Sequence, residues 1–239
     1  MEKIRRFLFS NTSIRQTIVK NTFWLAASTT ITKIIRSVII IYAARLIGTD
    51  GYGIFTYAMS LAALFTIFSD VGLTGLLTRE LAKENKKDQS YITTLSLVKL
   101  LFLLFSTLLI VIIGPIVAKF PEAKTLMPII ALLLAFDSAR TFIYSITRSK
   151  NKMQVEAGYE FVTEIVITML CLLSLLIHPS AYSLALAYMI GSGLGLITIV
   201  FSFRSVIGSI GGTINTSLLR PILTLSFPFA IVGIFNVFL

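Results

Sequence analysis

The sequence predicts an all-α, polytopic membrane protein: a six-helix transmembrane bundle followed by the start of a seventh helix. Hydrophobic residues make up 56% of the 239 and charged residues only 13%. The mean hydropathy is +0.89, far above what a soluble domain needs to build a core. A bilayer core about 30 Å thick takes ~20 apolar residues per helix. Six runs meet that length, at 23–47, 54–77, 92–113, 126–146, 157–177 and 182–203, and a seventh begins at Pro221. Barrel strands would be ~10 residues of strict alternation; these longer, continuous runs satisfy their backbone hydrogen bonds as helices.

The segment before the first span carries Lys3, Arg5, Arg6, Arg15 and Lys20. It lacks the apolar stretch and small-residue cleavage site of a removable signal, so the first span belongs to the mature protein. Ile4, Phe7, Leu8, Ile14 and Ile18 recur at helical spacing, which suits either a basic helix lying on the inner membrane surface or a disordered basic tail. With the N-terminus in the cytoplasm, fourteen Lys and Arg fall inside and three outside (Arg45, Lys119, Lys124). The positive-inside rule favours that orientation, in the inner or plasma membrane of the cell. The formal charge of +10 then reflects topology and attraction to anionic lipid, and no nucleic-acid partner is needed to explain it. Cys171 is the lone cysteine, so neither an intrachain disulfide nor a cysteine metal cluster forms. His178 precedes Pro179 at a helix end and reads as a terminator. No metal or cofactor is expected.

Each connection is short. "GTDGYG" follows the first span, "GPIVAKFPEAK" the third and "HPSAYS" the fifth. The Gly211-Gly212 pair marks 205–220 as a flexible linker. The expected organisation is a basic segment at 1–21, a transmembrane lobe at 22–204, the linker at 205–220, and the first helix of a second lobe at 221–239. The final run carries no polar flank, which suggests that the chain continues into that second lobe and that the first lobe alone does not function, since half a cavity exposes its polar faces.

Ionisable residues inside the spans are the main functional signal. Lys33 and Arg36 lie midway through the first span, Asp70 in the second, Lys99 in the third, Asp137 and Arg140 in the fourth, and Glu160 and Glu164 in the fifth. A central charge costs about 2.5–3.5 kcal/mol on insertion scales, so the first pair costs roughly 5–7 while that span's aliphatic and Phe residues return about 3–7. The helix is marginal if it faces lipid. Spacing allows another orientation, because Thr22, Thr29, Lys33 and Arg36 share one face with Ser37 beside it. Asp137, Arg140, Thr141, Tyr144 and Arg148 form a second stripe, and Glu156, Glu160, Thr163, Glu164 and Thr168 a third. Three such faces imply a shared polar interior, deepest from the cytoplasm. It is either a set of register-fixing salt bridges, for example Asp137 or Glu164 with Arg36, or a solvated cavity whose cations hold an anionic substrate.

The block "RLIGTDGYGIFTYAMSLAALFTIFSDVGLTGLLTRELA", Arg45 to Ala82, resembles the signature region of the O-antigen (Wzx-type) flippases, the polysaccharide-transport family of the multidrug/oligosaccharidyl-lipid/polysaccharide exporter superfamily. The matching residues are Leu46-Ile47-Gly48, Tyr52-Gly53, and then Asp70, Gly72, Leu73, Arg79 and Ala82. Looser similarity extends through "SARTFIYSITRSKNKM" to the Pro228-containing seventh span. Such proteins usually have 12–14 helices in two bundles, and the second bundle is missing here. The resemblance implies translocation of polyprenyl-diphosphate-linked oligosaccharide from the cytoplasmic to the outer leaflet by alternating access. It implies membrane lipids, H⁺ or Na⁺, and polymerases or glycosyltransferases of the same pathway as partners. Lys33 and Arg36 are the first choice for phosphate or acidic-sugar contacts, followed by Arg140 and Lys99. Asp70, Asp137, Glu160 and Glu164 are either ion-coupling groups or salt-bridge partners.

Two other classes compete. An ion-coupled multidrug extruder would need a net acidic, aromatic cavity, which the two cations of the first helix oppose. A membrane-embedded glycosyltransferase would need an acidic pair or metal site on an extended loop, and neither a DxD nor an HExxH motif is present. A non-transporting assembly partner would not account for the intramembrane charge. No enzymatic activity is expected.

Overall fold

The computed structural model describes residues 14–83, 89–204 and 212–238, all helical apart from short turns. The basic segment through residue 13, Lys86, Lys87 and the linker stretch 205–211 lie outside the described residues. Helix α1 spans Ile14–Thr66, continues as a 3-10 turn at Ile67–Ser69, and is followed by α2 (Leu73–Leu81). Then come α3 (Gln89–Val117), α4 (Pro121–Ser149), α5 (Met153–Ile177), α6 (Ala181–Ser202) and α7 (Leu219–Phe238). Among the described residues, helices α3 to α6 are each long and apolar enough to cross a membrane, and the bent pair of residues 19–69 with α2 makes up to five.

A continuous 53-residue helix would be about 80 Å long, more than twice the bilayer core. The single non-helical residue in α1, Gly48 (φ 82, ψ 167), resolves this. A positive φ is open to glycine without the steric cost a side chain adds. The contacts show that the chain reverses there. The N-terminal limb runs beside α5 in the same direction, Ser28 meeting Glu160 and Arg36 meeting Glu164. The C-terminal limb runs with α4, Tyr57 meeting Phe120 and Ser69 meeting Ser138. Since α4 and α5 are antiparallel across the tight 150–152 turn, so are the two limbs. The short connection "GTDGYG" carries this reversal at Gly48, with helix on either side of it.

The predicted continuous span 54–77 is broken. Asp70 (φ −144, ψ 68) ends the first segment, Gly72 (φ 75) starts α2, and the two helices differ by 47°. Asp70 Oδ1 accepts from the Thr74 amide at 3.0 Å, satisfying one of the donors that a helix start leaves open. Elsewhere helix ends follow the sequence. Pro121 opens α4, where its missing N–H costs nothing. The Ser180 hydroxyl accepts from the Ser183 amide at 3.1 Å to cap α6.

Packing uses small residues. On α6, Gly191 meets Ile167, Gly193 meets Phe136, and Gly195 meets Thr163 and Arg140. Ala43, Ala58 and Ala62 are fully buried in the same core. In a membrane, close backbone approach of this kind supplies the dispersion contacts that hold helices together. The outer face of α3 is correspondingly apolar and exposed, at Leu100, Leu101, Leu104, Leu108 and Ile112. Residues 212–218 do not hang free. The Gly212 amide donates to Thr93 Oγ1 at 2.9 Å and the Asn215 amide to Thr94 Oγ1 at 3.1 Å. Helix α7 packs on α2, Phe229 lying against Gly72 and Gly75.

Candidate functional site: a charged ladder beside an exposed cationic face

The N-terminal limb of α1 has three faces. Asn21, Ser28, Thr32 and Ile39 are buried and, at 100° per residue, fall with the half-buried Ile35 in one arc of about 60° that packs on the bundle. Thr22, Thr29, Lys33 and Arg36 form a second, exposed arc, with Ser37 at its edge. Phe23, Ile34, Val38 and Ile41 form a third, exposed and apolar. The cations are thus displaced both from the packed core and from the apolar flank.

Arg36 stands at the border between the packing face and the polar face. Its Nε donates to Glu164 Oε1 at 3.0 Å and its Nη2 to Oε2 at 3.0 Å. This is the bidentate fork that makes arginine a recogniser of planar anions. The pair is lopsided: the Arg36 side chain is 53% exposed and that of Glu164 only 6%. Lys33, one turn earlier, has no carboxylate within ion-pair distance among the described residues.

Below Arg36, α4 and α5 form a charge ladder. Across their connecting turn Arg148 binds Glu156 by Nε to Oε2 at 2.9 Å and Nη2 to Oε1 at 2.5 Å. The next carboxylate, Glu160, accepts from Ser28 Oγ at 3.2 Å and lies within electrostatic reach of Glu156, Arg140 and Arg148. Asp137 Oδ1 accepts from Arg140 Nη2 at 2.8 Å and from Ser192 Oγ at 2.6 Å, and Asp137 also acts on Arg36. Arg140 Nη1 and Tyr144 Oη are buried without a hydrogen-bond partner among the described residues. Room for Arg140 comes from Gly195, where a Cβ would sit 3.0 Å from Nη1. Lys33, Arg36, Arg140 and Arg148 balance Asp137, Glu156, Glu160 and Glu164, so the ladder as a whole is neutral and its exposed pole is cationic.

Lys99 and Asp70 lie apart from this ladder, at the break before α2. Lys99, 3% exposed, donates to the Ser69 carbonyl at 2.8 Å, Ser138 Oγ at 2.9 Å and Asp70 Oδ1 at 3.1 Å. An ammonium has three protons, and each has an acceptor here. Of the four predicted cations, therefore, Lys33 and Arg36 are presented on a surface, Arg140 is mostly enclosed and Lys99 holds a kink together. Of the predicted carboxylates, Glu164 is the Arg36 partner, Asp137 pairs within its own helix, Glu160 accepts from the Ser28 hydroxyl and Asp70 caps α2. Sequence spacing did not reveal Ser28, Ser192, Ser69 or Ser138 as partners. The Arg148–Glu156 rung has a sequence signal: opposite charges eight residues apart across a predicted tight turn.

Chemically, the arrangement can hold an anion at Lys33 and Arg36. No group of three or more His, Cys, Asp or Glu residues among those described could bind a metal ion. A family model described as polysaccharide biosynthesis protein matches residues 18–239. The chain belongs to the polysaccharide biosynthesis protein family. That family includes the Wzx-type flippases, and the match covers α1 from residue 18 onward and all of α2 to α7. Neither the curated proteins nor the solved structures contain a match.

Proposed function

We propose that this protein is a flippase that moves polyprenyl-diphosphate-linked oligosaccharide from the cytoplasmic to the outer leaflet by alternating access. The observation that carries the reading is the exposed cationic face of α1, Lys33 and Arg36, set at mid-helix, with Arg140, Arg148 and the four carboxylates Asp137, Glu156, Glu160 and Glu164 behind it. A diphosphate is the component of such a cargo that pays most to enter low dielectric, and a guanidinium with an ammonium one turn away offsets that cost. Hydroxyls on the same face, Thr22, Thr29 and Ser37, suit sugar. The apolar arc of Phe23, Ile34 and Ile41 leaves a lipid-facing flank for the polyprenyl tail.

In this reading α1 crosses twice, reversing at Gly48, the second crossing ends in α2, and α3 to α6 complete six crossings, with α7 beginning a second unit. The N-terminus is cytoplasmic, following the positive-inside count. Exposed cations disfavour export of cationic drugs, since like charge repels that cargo. Asp137 and Glu160 are the groups available to couple transport to H⁺ or Na⁺.

The test is leaflet transfer of a fluorescent short-chain polyprenyl diphosphate disaccharide in proteoliposomes containing the protein. Wild type is expected to transfer it, and Lys33→Ala combined with Arg36→Ala to lose at least tenfold in rate. Unchanged transfer in that double variant would refute the reading.

A further inference from the structure

We infer that Glu164 is a built-in competitor for the anion site, occupying the fork of Arg36 with a carboxylate that a phosphate group of the cargo must displace. The inference rests on the proposed anion-binding role of Arg36 and deepens it. Both Nε and Nη2 of Arg36 are committed to Glu164, each at 3.0 Å. A carboxylate in that fork presents two coplanar oxygens, as one edge of a phosphate does. The fork is thus already filled by a mimic of its ligand.

The asymmetry of the pair gives this arrangement a direction. Arg36 is the exposed member and Glu164 the enclosed one, so an incoming anion reaches the guanidinium from the open side without crossing the bundle. Lys33 stands on that same side with no carboxylate of its own among the described residues, and adds a second positive charge for a ligand carrying more than one negative charge. Glu164 carries only one. A diphosphate therefore competes for the fork with help from Lys33 that Glu164 cannot use. Displacement leaves a buried carboxylate without its counter-charge, a penalty that drives it to recapture Arg36 and expel the anion. The competitor weakens binding and speeds release, which suits a carrier better than a tight receptor.

The same chemistry would accept a phosphodiester of an anionic lipid headgroup, so the test separates the two sources. The protein is placed in nanodiscs of phosphatidylcholine and titrated with inorganic pyrophosphate by calorimetry. Glu164→Gln, which keeps the shape and removes the charge, is expected to bind at least tenfold more tightly than wild type. Arg36→Ala is expected to bind in neither background. Glu164→Asp, too short to span the fork squarely, should give a smaller gain and serves where the glutamine variant does not fold. Stabilisation of Glu164→Gln by discs containing phosphatidylglycerol, without pyrophosphate binding, would assign displacement to a lipid headgroup. If binding needs Arg36 but neither Glu164 variant strengthens it, Glu164 is no competitor while the anion site stands. If Arg36→Ala binds as well as wild type, the anion site itself is wrong.

Discussion

Replacing Lys99 with methionine removes the charge from the kink between α1 and α2 while nearly keeping the side chain's volume. The ammonium has acceptors at 2.8, 2.9 and 3.1 Å in the Ser69 carbonyl, Ser138 and Asp70. Hydrogen bonds to charged groups contribute about 1.5–3 kcal/mol each, and removing one member of a buried pair costs about 3–5 kcal/mol. Two effects reduce the loss. Methionine carries no ammonium to desolvate, and Asp70, 34% exposed, is partly rehydrated once its partner leaves. A net destabilisation of about 2–4 kcal/mol follows. At about 2–4 °C per kcal/mol for a chain of this size, the melting temperature should fall by about 4–16 °C. Cys171 is the only cysteine and fully buried, so its reaction with a thiol-activated dye during heating reports unfolding. Adding Asp70→Asn should recover part of the loss, because it removes the stranded carboxylate. A methionine variant that melts at or above wild type, or a double variant that simply sums the two single effects, would refute a Lys99 role at the kink.

Gly72→Ala should lower the melting temperature by several degrees. It forces a side chain into positive φ, costing about 1–2 kcal/mol, and sets a Cβ against Ser226 O and Ala230 N of α7; a melting curve like wild type's would mean that α7 does not pack there. Arg148→Ala strands the buried Glu156 and should destabilise by about 3–5 kcal/mol, with the charge exchange Arg148→Glu and Glu156→Arg recovering at least half in the same assay. Gly195→Ala pushes a methyl toward Thr163 and Arg140 and should slow leaflet transfer more than it lowers melting, since it disturbs the ladder without removing a charge.

Run length was enough to read the helical class and the positions of α3 to α6 in the sequence, because a bilayer imposes one length scale on every span. The shared face of Lys33 and Arg36 was equally legible, since helical periodicity alone places residues three apart on one side. Partner choice was not. Lys99 and Arg36 look alike in a sequence, each a cation in an apolar run. What separates them is the carbonyl of Ser69, freed only because the helix breaks at Asp70, and neither that break nor the positive φ of Gly72 leaves a mark in helical periodicity. At the end of the stretch expected to be a flexible linker, the Gly212 and Asn215 amides donate to the hydroxyls of Thr93 and Thr94, long-range bonds that composition cannot signal. For Arg36 the sequence left Asp137 and Glu164 open as partners, because both lie on stripes at suitable depth. Which one meets it depends on how α5 packs against α1.

To receive an anionic cargo, Lys33 and Arg36 must face water in the middle of the membrane. Cysteine substitution along α1 tests it most directly, with the buried Cys171 giving a nearly silent background. Thr22, Thr29, Lys33, Arg36 and Ser37 are replaced one at a time, alongside Phe23, Ile34 and Ile41, and each variant is exposed to a small water-soluble maleimide in intact and in inverted membranes. The first set should label rapidly from the cytoplasmic side and the second set slowly from either; labelling confined to the second set, or equal protection of both, would contradict the account.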